Sequence, residues 1–66
     1  MEQAVGKKIR DRRKQMRMSQ ETLAKKSDVS RVRISAIENG KCNNVLVSTL
    51  TAIATALETN VEFFLS

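Results

Sequence analysis

The sequence predicts an all-α chain, and three observations predict it. Proline is absent, while Ala, Leu, Lys, Arg, Glu and Gln are plentiful, a mixture that favours helix. Residues 47–57 repeat apolar side chains at helical spacing through Val47, Leu50, Ile53, Ala54 and Leu57. Residues 30–41, SRVRISAIENGK, carry a helix start signal at Ser30 and a stop signal at Gly40.

The elements follow in order. Val5, Ile9 and Met16 lie on one helical stripe, giving a first helix over about 4–16. Ser19 is placed to cap a short second helix over about 20–26, with Leu23 and Ala24 turned inward. SDVS (27–30) ends it, and Asp28 tolerates the left-handed backbone that a tight turn between helices needs. Ser30 caps a third helix over about 31–38, and Val29 and Ile34 hold the two positions of a hydrophobic staple. KCNNVLV (41–47) reads as a loop, and the fourth helix follows over about 47–57. The tail NVEFFLS (60–66) has two readings. Val61, Phe63 and Leu65 alternate as in a strand, whereas a short helix would bury Val61, Phe64 and Leu65. Both phenylalanines are here, so the tail is expected to be packed.

At 66 residues the chain is expected to be a single domain over 1–66 with no second, effector-binding module. A domain of this size buries only about 60% of the surface its unfolded chain exposes. With no histidine and one cysteine, Cys42, it lacks the ligands of a zinc site and the usual acid–base residue, so no metal, cofactor or enzymatic activity is expected. The lone cysteine suits a reducing cytosol, and a neutral loop role for it outweighs a redox switch. There is neither a membrane-length apolar run nor a signal-peptide pattern, so a cytoplasmic location is expected.

The net charge of +5 is unevenly spread. Residues 1–17 carry +5, residues 18–41 carry +2, and residues 42–66 carry −2 with no basic residue at all. The first two-thirds therefore suits a polyanion, and the apolar, mildly acidic last third suits a core or a subunit interface. Two short helices joined by a tight turn, the second bounded at both ends, make a helix-turn-helix pattern. The major groove of DNA is wide enough for one helix, and the preceding helix braces it against the backbone.

SQETLAKKSDVSRVRISAIENGK (19–41) resembles the helix-turn-helix core of the XRE family, the phage lambda repressor and Cro class. The matching elements are Ser19-Gln20, Leu23-Ala24, Val29-Ser30, Ile34-Ser35 and Ile37-Glu38-Asn39-Gly40. Gly6, Ile9-Arg10 and Arg13 fit the family's first helix, and STLTAIATAL (48–57) fits its fourth. The resemblance covers about residues 4–57 and implies a compact, lambda repressor-like bundle of four or five helices. It places Ser30, Arg31, Val32 and Ala36 against base edges. It makes Gln20 a phosphate contact that buttresses the recognition helix, and puts Asn39 and Lys41 on the DNA backbone. It pairs Arg13 with Glu38 as an internal ion pair. Arg33 lies at the side of the groove-facing strip and reads as a phosphate contact, as do Lys7 and Lys8. Arg31 suits guanine N7 and O6, the alternative being a phosphate clamp. Val32 and Ala36 suit thymine methyl groups, the alternative being filler that avoids a clash.

Three departures from the family pattern stand out. Arg12 occupies a position that is usually Leu, so its stem is expected to pack while its head reaches solvent or phosphate. Arg17 occupies a position that is usually Gly, at a cost of about 1 kcal/mol if the turn there is left-handed. CNNVLVSTL (42–50) lacks the usual proline and is one residue longer than common. The tail is similar to family members that end in a strand, including small antitoxins of the HipB type. In those, strands of two subunits pair, which makes Val61, Phe63, Phe64 and Leu65 the expected dimer interface. Two functions follow from the resemblance. One is a repressor that binds a near-palindromic double-stranded operator as a homodimer. The other is an antitoxin that binds a toxin protein and represses its own operon.

Overall fold

The computed structural model describes residues 2–42 and 44–65, with side chains described from residue 4 onward. Asn43 of the loop and Ser66 of the tail lie outside the described residues. Five helices follow one another: α1 (Glu2–Gln15), α2 (Gln20–Ser27), α3 (Arg31–Glu38), α4 (Val47–Ala56) and α5 (Val61–Leu65). α3 packs on α1 and α2, α2 packs on α4, and α5 closes against α1 and α4. The core they enclose is formed by Ile9, Met18, Leu23, Ile34, Ile37, Leu50, Ile53, Ala54, Leu57 and Phe64.

Local chemistry sets the helix starts. Ser19 accepts a hydrogen bond from the Thr22 amide at 3.0 Å, and Ser30 accepts one from the Arg33 amide at 3.1 Å. Each bond satisfies one of the four amides that the first turn of a helix leaves without a partner. Asp28, between α2 and α3, takes the left-handed conformation with φ 59°. Asn60 starts α5, its carboxamide oxygen accepting from the Phe63 amide at 3.1 Å.

Three helix ends close in the same way. After α3, Gly40 (φ 71°) donates to the Ile37 carbonyl at 3.1 Å and Lys41 donates to the Ala36 carbonyl at 2.8 Å. After α1, Arg17 (φ 54°) donates to Lys14 and Met18 to Arg13, both at 3.0 Å. After α4, Glu58 (φ 56°) donates to Thr55 at 3.1 Å and Thr59 to Ala54 at 2.9 Å. These bonds satisfy carbonyls that the last turn would leave unpaired. Only one of the three left-handed positions is glycine, so Arg17 and Glu58 each hold a Cβ against the adjacent carbonyl. Arg17→Gly is therefore expected to stabilise the domain by about 1 kcal/mol, the relief of strain being partly offset by glycine's freer unfolded chain. The measurement is a urea unfolding midpoint. A midpoint that stays put or falls would mean that the turn carries no strain.

The tail is a helix, not a strand. The alternation of Val61, Phe63 and Leu65 does not govern it, because Asn60 caps the turn and Phe64 drops into the core at 1% exposure. Burying a side chain of this kind contributes about 1.5–3 kcal/mol, more than five residues of strand without a partner could gain. Phe64 is thereby spent inside the protomer and is not available to a dimer interface. Leu65 is 64% exposed, so the short helix buries only Val61, in part, and Phe64. The strand that motivated the likeness to HipB-type antitoxins is absent among the described residues. Val47, placed on the inward stripe of the fourth helix by its spacing, is 71% exposed instead. It is the first residue of α4, where the helix projects beyond the core, and Leu46 before it is 65% exposed.

Candidate nucleic-acid interface

α3 has two faces. Ile34 and Ile37 are buried, and Val29, one residue before the cap, packs against the same core. Arg31, Val32 and Arg33 point outward, and Val32 is 82% exposed. An isolated eight-residue helix is marginal in water, so this one depends on its caps and its buried face. Its rigidity comes from a polar cluster at its last residue.

Arg13 donates from Nε to Glu38 Oε2 at 2.8 Å and from Nη2 to Oε1 at 3.0 Å. Its remaining nitrogen, Nη1, donates to the Met18 carbonyl at 2.8 Å. Gln20, the first residue of α2, donates from Nε2 to the same Glu38 Oε1 at 3.0 Å. The Glu38 side chain is 1% exposed and that of Arg13 is 11% exposed. One carboxylate thus joins α1, α2 and the end of α3. Such a pair is retained only when its hydrogen bonds are filled, and no buried side-chain nitrogen or oxygen among the described residues lacks a partner.

Gly6 lets α1 reach α3. A Cβ at this position would overlap the Ile37 carbonyl oxygen and stand 3.0 Å from the Glu38 Cα. The two helices therefore cross with backbone nearly against backbone, one turn of α1 before Arg10 and two before Arg13.

Shallow depressions flank the outer face of α3. One, about 280 Å³, is lined by Gln20, Arg31, Val32 and Ser35. On the other side, Ser30, Val32, Arg33, Ala36, Lys41 and Cys42 line a second of about 370 Å³. A third lies at the C-terminal end of α3, lined by Lys7, Arg10, Glu38 and Asn39. The structure thus brings Gln20, Ser30, Arg31, Val32, Arg33, Ala36, Asn39, Lys41 and Lys7 around one helix. Lys8 does not join them. Its ammonium donates to the Phe63 carbonyl at 3.4 Å, so it faces α5. Ala36 is half-buried and Ser30 uses its oxygen as a cap, which leaves Arg31 and Val32 the most freely presented of the four residues expected at base edges. Arg10, matched in the sequence to the family's first helix but not to this surface, lines the third depression. The signal that could have placed it there is its spacing of three from Lys7, which puts both on one face of α1.

A helix-turn-helix family model matches residues 9–64. The chain belongs to the XRE-type helix-turn-helix family. Members of this family are DNA-binding transcriptional regulators rather than enzymes. This family member is 39% identical over 62 residues to an uncharacterized transcriptional regulator in the ATPase CF(0) region of Rhodospirillum rubrum, a match covering 94% of the chain. The chain spans 56% of that relative's length. It is also similar to the crystal structure of the restriction-modification controller protein C.AhdI from Aeromonas hydrophila, with a TM-score of 0.89 and 31% identity. That match covers 94% of this chain and 92% of the controller protein.

Two departures from the family pattern are accounted for by the geometry. Arg17 does sit in the left-handed turn. Arg12, half-buried, turns its head toward the C-terminal end of α4 rather than toward α3. Its Nε donates to the Leu57 carbonyl at 3.0 Å and its Nη2 to the Glu58 carbonyl at 3.4 Å, at the C-terminal end of α4. Among the described residues no helix is long and apolar enough to cross a membrane.

Proposed function

We propose that this XRE-type chain is a sequence-specific repressor that binds double-stranded DNA as a homodimer on a near-palindromic operator. The observation that carries the reading is the outer face of α3, where Arg31 and an 82% exposed Val32 stand on a helix held to the core by its buried Ile34, Ile37 and Glu38. An exposed valine flanked by arginines has little to gain from water, and a base edge with a thymine methyl suits it. Arg31 donates to guanine N7 and O6, with Val32 and Ala36 against methyl groups and Ser30 at the rim. Arg33, Asn39, Lys41 and Lys7, with Arg10 beside Lys7, neutralise phosphates. Gln20, tied by its amide to Glu38, turns its remaining polar atoms to the backbone next to Arg31. Phe63 and Leu65, 44% and 64% exposed on α5, supply the apolar part of the dimer seam, with Val61 at its edge. Two recognition helices about 34 Å apart then enter successive major grooves, and occupancy over a promoter blocks polymerase.

The test is selection of bound sites from random duplex DNA by the parent protein and by Arg31→Ala. The parent protein is expected to return a near-palindrome. The variant is expected to lose one base preference per half-site, worth about 1–3 kcal/mol. A uniform loss across all sequences would make Arg31 a phosphate contact. Affinity is expected to fall with salt, the logarithmic slope losing about 0.9 for each phosphate contact removed. Binding without any sequence preference at moderate salt would sink the reading.

A further inference from the structure

Two basic residues of α1 point away from the proposed DNA face. Arg12 donates to the Leu57 and Glu58 carbonyls at 3.0 and 3.4 Å. Lys8, one turn earlier, donates to the Phe63 carbonyl at 3.4 Å. Together they hold the turn between α4 and α5 and the C-terminal half of α5. Positive charge at the end of a helix is favourable, because the last carbonyls carry partial negative charge. Glu58 sits in this turn in the left-handed conformation, φ 56°, so the segment that aims α5 is both strained and held by one guanidinium.

α5 needs such a hold. It is five residues long, and among its side chains Phe64 alone is fully buried. Phe64, with Val61 packed in part beside it, fixes where the helix sits, and the bonds from α1 to the flanking carbonyls help to set its tilt. Its exposed residues, Phe63 and Leu65, are those proposed to meet a second copy. α1 meanwhile grips α3 through Gly6 and Arg13. The same helix therefore fixes the reading helix on one side and the dimer seam on the other.

We propose that Arg12 is a positioning residue that sets the distance between the two reading helices of the dimer, and so the half-site spacing of the operator. The inference rests on the dimer reading above. Arg12 touches no DNA in this arrangement. Its loss leaves the base preferences within a half-site unchanged and alters the tolerance for the gap between half-sites.

The experiment measures binding to a set of duplexes that carry the selected half-sites with the centre shortened or lengthened by one and two base pairs. The parent protein, Arg12→Met and Arg12→Lys are compared. Methionine keeps the buried stem and removes the donors, whereas lysine keeps the charge but cannot span both carbonyls in the guanidinium's geometry. The parent protein is expected to prefer one spacing sharply. R12M is expected to lose that discrimination by roughly tenfold, in keeping with lost charge-assisted hydrogen bonds, with R12K between the two. Half-site preferences stay the same in all three. An R12M spacing profile that matches the parent's overturns the role of Arg12 and leaves the dimer reading standing. A parent protein with no spacing preference overturns the dimer reading and this inference with it. If R12M does not fold, R12K decides: a parental profile for it overturns the inference, and a broadened one supports it.

Discussion

Glu38→Ala is expected to destabilise the domain by about 3–5 kcal/mol, because it leaves the Arg13 guanidinium buried without its carboxylate. The loss reaches further than one pair. Gln20 Nε2 loses its acceptor too, so the start of α2 and the end of α3 loosen together. A 66-residue domain has little to spare, since stability runs at about 0.05–0.15 kcal/mol per residue. The variant should be largely unfolded near body temperature, which circular dichroism against temperature would show. The double change of Arg13→Met with Glu38→Leu is expected to recover part of the loss, because an apolar pair of similar size has no charge to strand, although Gln20 Nε2 and the Met18 carbonyl still lose their partners. If Glu38→Ala melts within a few degrees of the parent, the pair is not structural. If the double variant is as unstable as the single one, shape rather than charge sets the cost.

Gly6→Ala should cost about 3 kcal/mol, at the upper end of what an added methyl group costs in a packed interior. Usually, replacing a helical glycine with alanine gains about 1 kcal/mol. The sign reverses here because the new Cβ would meet main chain, the Ile37 carbonyl, which cannot swing away as a side chain can. Either α1 lifts off α3 or α3 shifts toward solvent. The second course would move the reading helix, so DNA affinity is expected to fall more than the fraction unfolded explains. Chemical denaturation and DNA titration of one preparation separate the two. A stabilised Gly6→Ala would mean that the helices do not approach this closely.

The features that could be read in the sequence were local. Ser19, Ser30, Asp28 and Gly40 each set a helix boundary through bonds to residues within a few positions, and α2 and α3 fall within a residue of where those signals put them. The inward residues of α3 followed from spacing for the same reason. The pairing of Arg13 with Glu38 spans 25 residues and was legible only through the family resemblance. Contacts across the whole chain left no local trace. Arg12 with Leu57 and Lys8 with Phe63 lie 45 and 55 residues apart, and a run of basic residues looks the same whether it faces DNA or a helix end. The tail misled because alternation and a single capped turn are both satisfied by NVEFFLS. The deciding fact was that the core has room for Phe64 between α1 and α4. Arg10 was matched to the first helix but not to this surface, because Lys7, Arg10 and Asn39 come together only when α1 lies on α3.

The left-handed residues at the ends of α1 and α4 bear on how long a molecule survives. Arg17 and Glu58 adopt a conformation that a glycine would hold with less strain. Each kilocalorie per mole given up in this way raises the unfolded population about fivefold. Proteases act on that population when opening and closing are fast relative to cleavage. For the repressor proposed above, loss of the molecule is one route by which the operator is freed. In this chain two residues at helix ends, remote from the α3 face, lower the free energy needed to expose the backbone. Glycine at both places would give a sturdier molecule that leaves the cell more slowly, with its reading helix untouched.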